Sequence, residues 1–288
     1  MLTAQSDVGR IRKLVLKSPA AAMIDQSRVD REWQALNYLE RPDYATAVTE
    51  YEGLLGLLPG DIDITFLPEN GATGMDSIYV RDAAIATDAG LVLCNMGKAA
   101  RSGEPGAMAQ RDIKVIGAVS GDGRIEGGDV TWLTPRLLAA GLGYRTNAEG
   151  IRQLSALLAD DVEVITVPLP HWQGPDDVFH LMSMLSPITE DILLVFSPLM
   201  PVPFRTFLTE RGFHLVEVPN DEFDSMGCNV LALGDDRCLL LEGNPVTRAR
   251  LEAAGIETII YEGNEISRKG CGGPTCLTRP LLREIEDR

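Results

Sequence analysis

The chain is short of positive charge and of histidine. Twenty-six lysines and arginines face 42 aspartates and glutamates, a formal net charge of −16, and there are three histidines, His171, His180 and His214. So acidic a surface repels nucleic acid and anionic membrane and attracts cations, so the expected partner is a small cation rather than a polyanion. No apolar run reaches the ~18 residues of a membrane span. Residues 1–7 carry neither the basic nor the apolar stretch of a secretory signal, and a cytoplasmic location is the expectation. Five cysteines, at 94, 228, 238, 271 and 276, are an odd number and argue against a disulfide framework. Cys271 and Cys276 lack a zinc-type spacing, so no metal is expected. Also missing are a Gly-x-Gly-x-x-Gly turn after a strand and a Walker sequence, the marks of a nucleotide-binding doubly wound sheet.

What the chain does contain is a period. Residues 61–66, 112–116, 161–167, 212–218 and 255–260 each start near Gly or Asp and run into alternating β-branched residues. Their first apolar positions, 62, 113, 162, 213 and 256, recur about every 50 residues. Helical spacing precedes four of them, over 45–58, 147–158, 202–211 and 247–254. Paired strand patterns lie between, at 77–87 with 90–94 and at 229–233 with 237–241. The unit is strand, strand, helix, strand. Five such units predict an α/β ring in which each unit buries its face against its neighbours, and no linker divides residues 1–288, so one catalytic domain is expected. A doubly wound sheet is the alternative. The second unit is the least regular, because residues 103–110 before it are glycine-rich.

Chemistry concentrates in three places. Gly270-Cys271-Gly272-Gly273-Pro274-Thr275-Cys276 delivers a thiol into a glycine-rich bend, where another group can approach closely. Ile125-Glu126-Gly127-Gly128-Asp129 sets an acid beside a second such bend, and Phe179-His180-Leu181 sets a histidine in an apolar run. Cysteine, histidine and acid are the parts of an activated-thiol hydrolase. His171, in a proline-rich loop, and His214, on a repeated strand, compete with His180. Alternation over Met75–Asp82 predicts a strand that projects Asp76, Ile78, Val80 and Asp82 from one face, two acids lining a pocket. Acids beside a thiol raise its pKa, a cost that a cationic substrate would offset. Arg101 and Arg145 follow strand-like stretches and can hold a carboxylate as a fork, with Thr146 or Asn147 as a helix cap. Cys94, Cys228 and Cys238 read as small core residues.

The ordered set Asp-Ser-x-x-Val-x-Asp, Glu-Gly-Gly-Asp, Arg-Thr-Asn, His-Leu and Gly-Gly-x-x-Cys resembles the guanidine-modifying (pentein) superfamily over residues ~12–282. The likeness is greatest to the dimethylarginine dimethylaminohydrolases, through residues 76–82 and 145–150. The resemblance implies a five-bladed α/β propeller of five ββαβ units, needing no metal or organic cofactor. It implies Cys276 as nucleophile and His180 as general acid and base. Glu126 and Asp82 would hold the guanidinium, Asp76 would support the polar network, and Arg101 and Arg145 would grip an α-carboxylate. The implied reaction turns an N-methylated arginine or related guanidino acid into a ureido product through a thiouronium on Cys276. Arginine deiminase, dihydrolase or amidinotransferase chemistry is the enzymatic alternative, and a guanidino-compound binding protein the non-enzymatic one. Self-association is left open. Arginine deiminases typically carry an acid two residues after the histidine; Met182 stands there, which favours N-alkylated guanidines. Arg81 stands where dimethylarginine enzymes can have an acid, on the face opposite Asp82.

Overall fold

The computed structural model describes residues 1–109, 113–177 and 179–286. Residues 110 and 112, which fall within the sequence readings above, lie outside the described residues.

All five repeated segments are strands, and each plays one role. In four three-stranded sheets an antiparallel hairpin leads into a helix, and the helix returns the chain to a third strand that pairs in parallel with the second. The first of these sheets comprises Ala84–Thr87, Gly90–Leu93 and Val115–Ala118, with the short helix Glu104–Met108 as its crossover. The next is Val130–Thr134, Leu137–Leu142 and Glu163–Pro168, crossing through helix Ala148–Ser155. The third is Leu185–Pro187, Ile192–Val195 and His214–Glu217, through helix Val202–Glu210. The fourth is Leu231–Gly234, Arg237–Leu241 and Glu257–Tyr261, through helix Pro245–Ala253.

The remaining sheet joins the two ends of the chain. Arg10–Leu16 pairs in parallel with Asp63–Phe66 after helix Tyr44–Leu57, and its antiparallel partner is the C-terminal strand Arg279–Glu284, which also takes Leu2–Thr3. The fold is the expected five-bladed α/β propeller, closed by a strand from each end. Local signals fix the helix starts. The Asp43 carboxylate accepts from Thr46 N at 2.8 Å, and Asn147, rather than Thr146, caps its helix by accepting from Gly150 N at 2.8 Å. Apolar helix residues join the cores of the sheets they cross. Leu208 shares a buried cluster with Leu193 and Val195, and Leu154 shares another with Leu138. Cys94, Cys228 and Cys238 are buried core residues, as expected.

One element departs from the expectation. Strand structure begins only at Ala84; Met75–Ile78 and Val80–Ala83 are two turns of 3₁₀ helix. Every residue from Met75 to Ala83 is buried. Apolar and polar side chains alike therefore have partners all round, and their alternation carries no two-faced period. Among the described residues no helix is long and apolar enough to cross a membrane.

Candidate active site

The 3₁₀ turns, the Glu126–Gly128 bend, the His180 turn and the glycine-rich C-terminal loop converge on one cavity of about 310 Å³. Asp76, Asp82, Lys98, Arg101, Arg145, His180 and Cys276 all line it, and Glu126 lies directly behind His180. His171 and His214 do not line it. His171 pairs with the Tyr144 hydroxyl at 2.7 Å in an exposed loop, and His214 is exposed on its strand.

The glycines make room for side chains. A Cβ on Gly128 would stand 2.4 Å from His180 Nδ1 and 2.8 Å from Asp82 Oδ1, so this position lets imidazole and carboxylate meet over the backbone. Its amide also donates to Asp82 Oδ1 at 2.9 Å. In the C-terminal loop, Gly270 and Gly272 lie under the Tyr79 ring and Gly273 under the Asn229 amide. Asn229 is then placed to clasp the loop. It donates to Cys276 Sγ at 3.3 Å and accepts from the Thr275 amide and hydroxyl at 3.1 and 2.7 Å.

His180 Nε2 and Glu126 Oε2 are 2.8 Å apart, both buried, and His180 Nδ1 lies 3.9 Å from Asp82 Oδ1. Burial alone would push the imidazole pKa down. The charges of Asp129 and Asp82 and the bond and charge of Glu126 outweigh it and raise the imidazole to about 9. Burial likewise works against the Glu126 carboxylate, but the His180 bond and charge, with Arg101 and Arg145, hold it below the usual carboxylate range. The other Glu126 oxygen accepts from the amides of Gly97 and Lys98 at 2.9 and 3.1 Å. Histidine is thus held as imidazolium against a fixed carboxylate, ready to give up a proton. Burial and the Asp82 charge push the Cys276 thiol above its ordinary value, and the Asn229 and Thr275 bonds only partly oppose them.

Arg101 does not stand as expected. Its guanidinium is already engaged, with Asp82 Oδ2 at 2.6 Å, Glu104 at 2.9 and 2.8 Å, and the Tyr79 carbonyl at 3.1 Å. A buried guanidinium flanked by two buried carboxylates is their counterion, and a substrate carboxylate would have to displace one of them. Burial opposes the charged Asp82, and Arg101 outweighs it, so Asp82 titrates below its usual range. Arg145 is less committed: its Nη1 is 3.6 Å from Glu126 Oε1 and has no hydrogen-bond partner among the described residues. Asp76 pairs with Lys98 at 2.9 Å. Arg81 points away from the cavity and forms a buried ion pair with Asp7 at 2.7 Å. Met182 is buried.

Sequence reasoning missed Lys98 and Asn229. Asn229 could have been noticed as an amide among the apolar Cys228, Val230 and Leu231. Lys98, in an alanine-rich stretch, gave no signal. The ligand atoms of Asp82, Glu126 and His180 lie within 4.8 Å of one another. With His180 held as imidazolium, the group already contains its own cation between the two carboxylates.

A five-bladed α/β propeller with thiol, imidazole and paired carboxylates at one mouth is the architecture of the guanidine-modifying superfamily. Within it, residues 24–283 match the family model described as N,N dimethylarginine dimethylhydrolase, eukaryotic, and the chain belongs to that family. It is 24% identical over 273 residues to the N(G),N(G)-dimethylarginine dimethylaminohydrolase of Pseudomonas aeruginosa, covering 93% of this chain and 98% of that one. The structure of the Pseudomonas aeruginosa protein complexed with citrulline superposes with a TM-score of 0.75 at 26% identity, covering the same shares of both chains. An arginine deiminase of Rhodococcus jostii is 30% identical over 190 residues, 56% of this chain and 46% of that protein. The N-terminal domain of an arginine dihydrolase from cyanobacteria shares the fold, with a TM-score of 0.78 at 19% identity over 95% of this chain and 98% of that one.

Proposed function

We propose that the chain hydrolyses the guanidinium C–N bond of an N-methylated arginine or related guanidino acid, releasing an alkylamine and a ureido product such as citrulline. The observation that carries this reading is the convergence of Cys276 and His180 on one cavity walled by Asp82 and backed by Glu126.

The substrate guanidinium lies against the Asp82 carboxylate and the His180 ring, with Glu126 behind the imidazole adding negative charge to the site. Its positive charge reverses the electrostatics that keep Cys276 a thiol; the S–H proton passes to solvent as the substrate binds, because His180 is already protonated, and leaves a nucleophilic thiolate. Sγ attacks the guanidinium carbon, and the C–N bond to the alkylated nitrogen breaks as His180 donates its proton to the departing amine. A thiouronium remains on sulfur. Neutral His180 then takes a proton from water, hydroxide adds to the same carbon, and the C–S bond breaks to release the ureido product and re-form the starting site. Substrate and one water give product and amine, with no redox change. Arg145 holds the substrate carboxylate, and Arg101 keeps Asp82 ionised. Five unpaired thiols fit a reducing cytoplasm.

Deimination of arginine is the second reading, and the deiminase relatives favour it. Met182 weighs against it only through what is missing: it stands where arginine deiminases typically carry an acid, it is buried outside the cavity lining, and it offers an unsubstituted guanidinium no charge-assisted bond. Quenching a reaction with N,N-dimethylarginine in acid and weighing the intact protein is expected to show a Cys276 adduct, with dimethylamine in the supernatant. Cys276→Ser should show neither. Ammonia from arginine at a higher kcat/KM than dimethylamine from dimethylarginine would decide for the deiminase reading, and wild-type turnover by Cys276→Ser would end both.

A further inference from the structure

The cavity contains an ammonium site that the chain fills with its own side chain. Lys98 Nζ donates to the Leu36 carbonyl at 2.7 Å and to Asp76 Oδ2 at 2.9 Å, and all three residues line the cavity. A carboxylate and a carbonyl at these distances are what an α-ammonium of an amino-acid substrate would seek. Asp76 is buried, Lys98 is 17% exposed, and the lysine is anchored by Gly97, whose Cα approaches the Arg145 backbone too closely for any side chain.

We infer that Lys98 is a specificity determinant that selects guanidino acids lacking an α-amino group. The inference rests on the guanidine-hydrolase reading above and narrows its substrate class. With Lys98 in place, an incoming α-ammonium meets a like charge and finds its two best acceptors taken, whereas an incoming carboxylate meets an ammonium. Lys98 uses two of its three N–H groups on Leu36 and Asp76, and the third has no partner among the described residues. Arg145 Nη1 also lacks a hydrogen-bond partner, whereas the Arg101 guanidinium is occupied by Asp82 and Glu104. The spare donor at this end of the cavity therefore belongs to Lys98, and it suits a carboxylate; Arg145 Nη1 is buried against Glu126. Two more acids reach the rim, exposed Asp176 and half-buried Asp177. Water competes there for any ammonium, so they do not replace Asp76.

The test compares an ω-N-methylated arginine with its desamino analogue, which carries hydrogen in place of the α-ammonium. Calorimetric titration of the Cys276→Ser protein reads binding without turnover, so the result stands whether or not the reaction reading does; adduct formation on unmodified Cys276 reports on that reading separately. The desamino compound is expected to bind at least as tightly as the amino acid to the protein that retains Lys98. Adding Lys98→Met should shift the ratio of the two Kd values toward the amino acid by roughly 10- to 100-fold, the worth of one charge-assisted bond. The Lys98-containing protein needs no folded double variant to be informative. Binding of the amino acid tenfold tighter than its desamino analogue with Lys98 present would overturn the inference, as would a ratio unchanged by Lys98→Met.

Discussion

At the scale of single residues, the site keeps the thiol proposed as its nucleophile dormant. Cys276 is crowded by the Asp82 charge and shut off from solvent on most sides, and both effects favour the thiol over the thiolate. The free protein should therefore react slowly with a small neutral alkylating reagent at neutral pH. Its rate at Cys276 is expected to rise with pH through a midpoint above the ~8.5 of an ordinary thiol. A cationic halo-amidine, which brings its own positive charge to Asp82, should react with a lower apparent midpoint. Peptide mapping of the labelled side chain over a pH series measures both. A midpoint below that of free cysteine with the neutral reagent would mean that the acids do not govern the thiol.

At the scale of elements, Gly128 is the joint on which the geometry turns. Its missing Cβ lets the His180 turn and the Asp82 3₁₀ turn close on the same few ångströms. Gly128→Ala should push the imidazole away from the carboxylate and lower kcat by more than about 100-fold, the usual result of displacing a catalytic group by an ångström. The far-ultraviolet dichroism should be retained. Steady-state kinetics with full activity would show that the bend tolerates a side chain. The same elements show what could be read from the sequence. The five outer strands were legible because each has a clear alternation, and four of the crossover helices because each has a period; the short helix Glu104–Met108, in a glycine-rich stretch, was not. Cys276, His180, Glu126 and Asp82 were legible because glycines and short polar motifs frame them. Met75–Ala83 was misread as strand because its segment is buried on every side, and a two-residue period means something only when one face is wet. Lys98 and the true partners of Arg101 were invisible for a different reason. An arginine near an acid in space looks the same in sequence as an arginine awaiting a ligand, and only the tertiary structure shows that Glu104 and Asp82 already hold it.

At the scale of the whole molecule, the blades are tied together by buried charge. Asp7, in the first turn of chain after strand Leu2–Thr3, bonds Arg81 with one oxygen at 2.7 Å and accepts from the Trp132 amide with the other at 2.8 Å. It thereby links three blades. Arg279 and Arg283, from the strand that closes the ring, are buried nearby, and Arg283 donates to the carbonyls of Gly9 and Ala232 at 2.7 and 2.9 Å. Arg81 bonds the Asp7 carboxylate, and Arg279 and Arg283 feel its charge, so removing that charge leaves Arg81 uncompensated in a poorly solvated place. Asp7→Asn keeps the shape and deletes the charge, and it should cost about 3–5 kcal/mol in urea unfolding. The pH dependence follows from the same group. Burial disfavours the ionised carboxylate, but Arg81, with Arg283 and Arg279, outweighs that effect and brings the folded Asp7 below its ordinary value. Its stabilisation is therefore fully present above the unfolded value near ~3.9 and is lost as pH falls through the lower folded value. Acid titrations of stability should thus converge: the wild-type curve drops toward that of Asp7→Asn as pH falls below about 4. A variant within about 1 kcal/mol of wild type at neutral pH would show that the blades hold by their apolar faces alone.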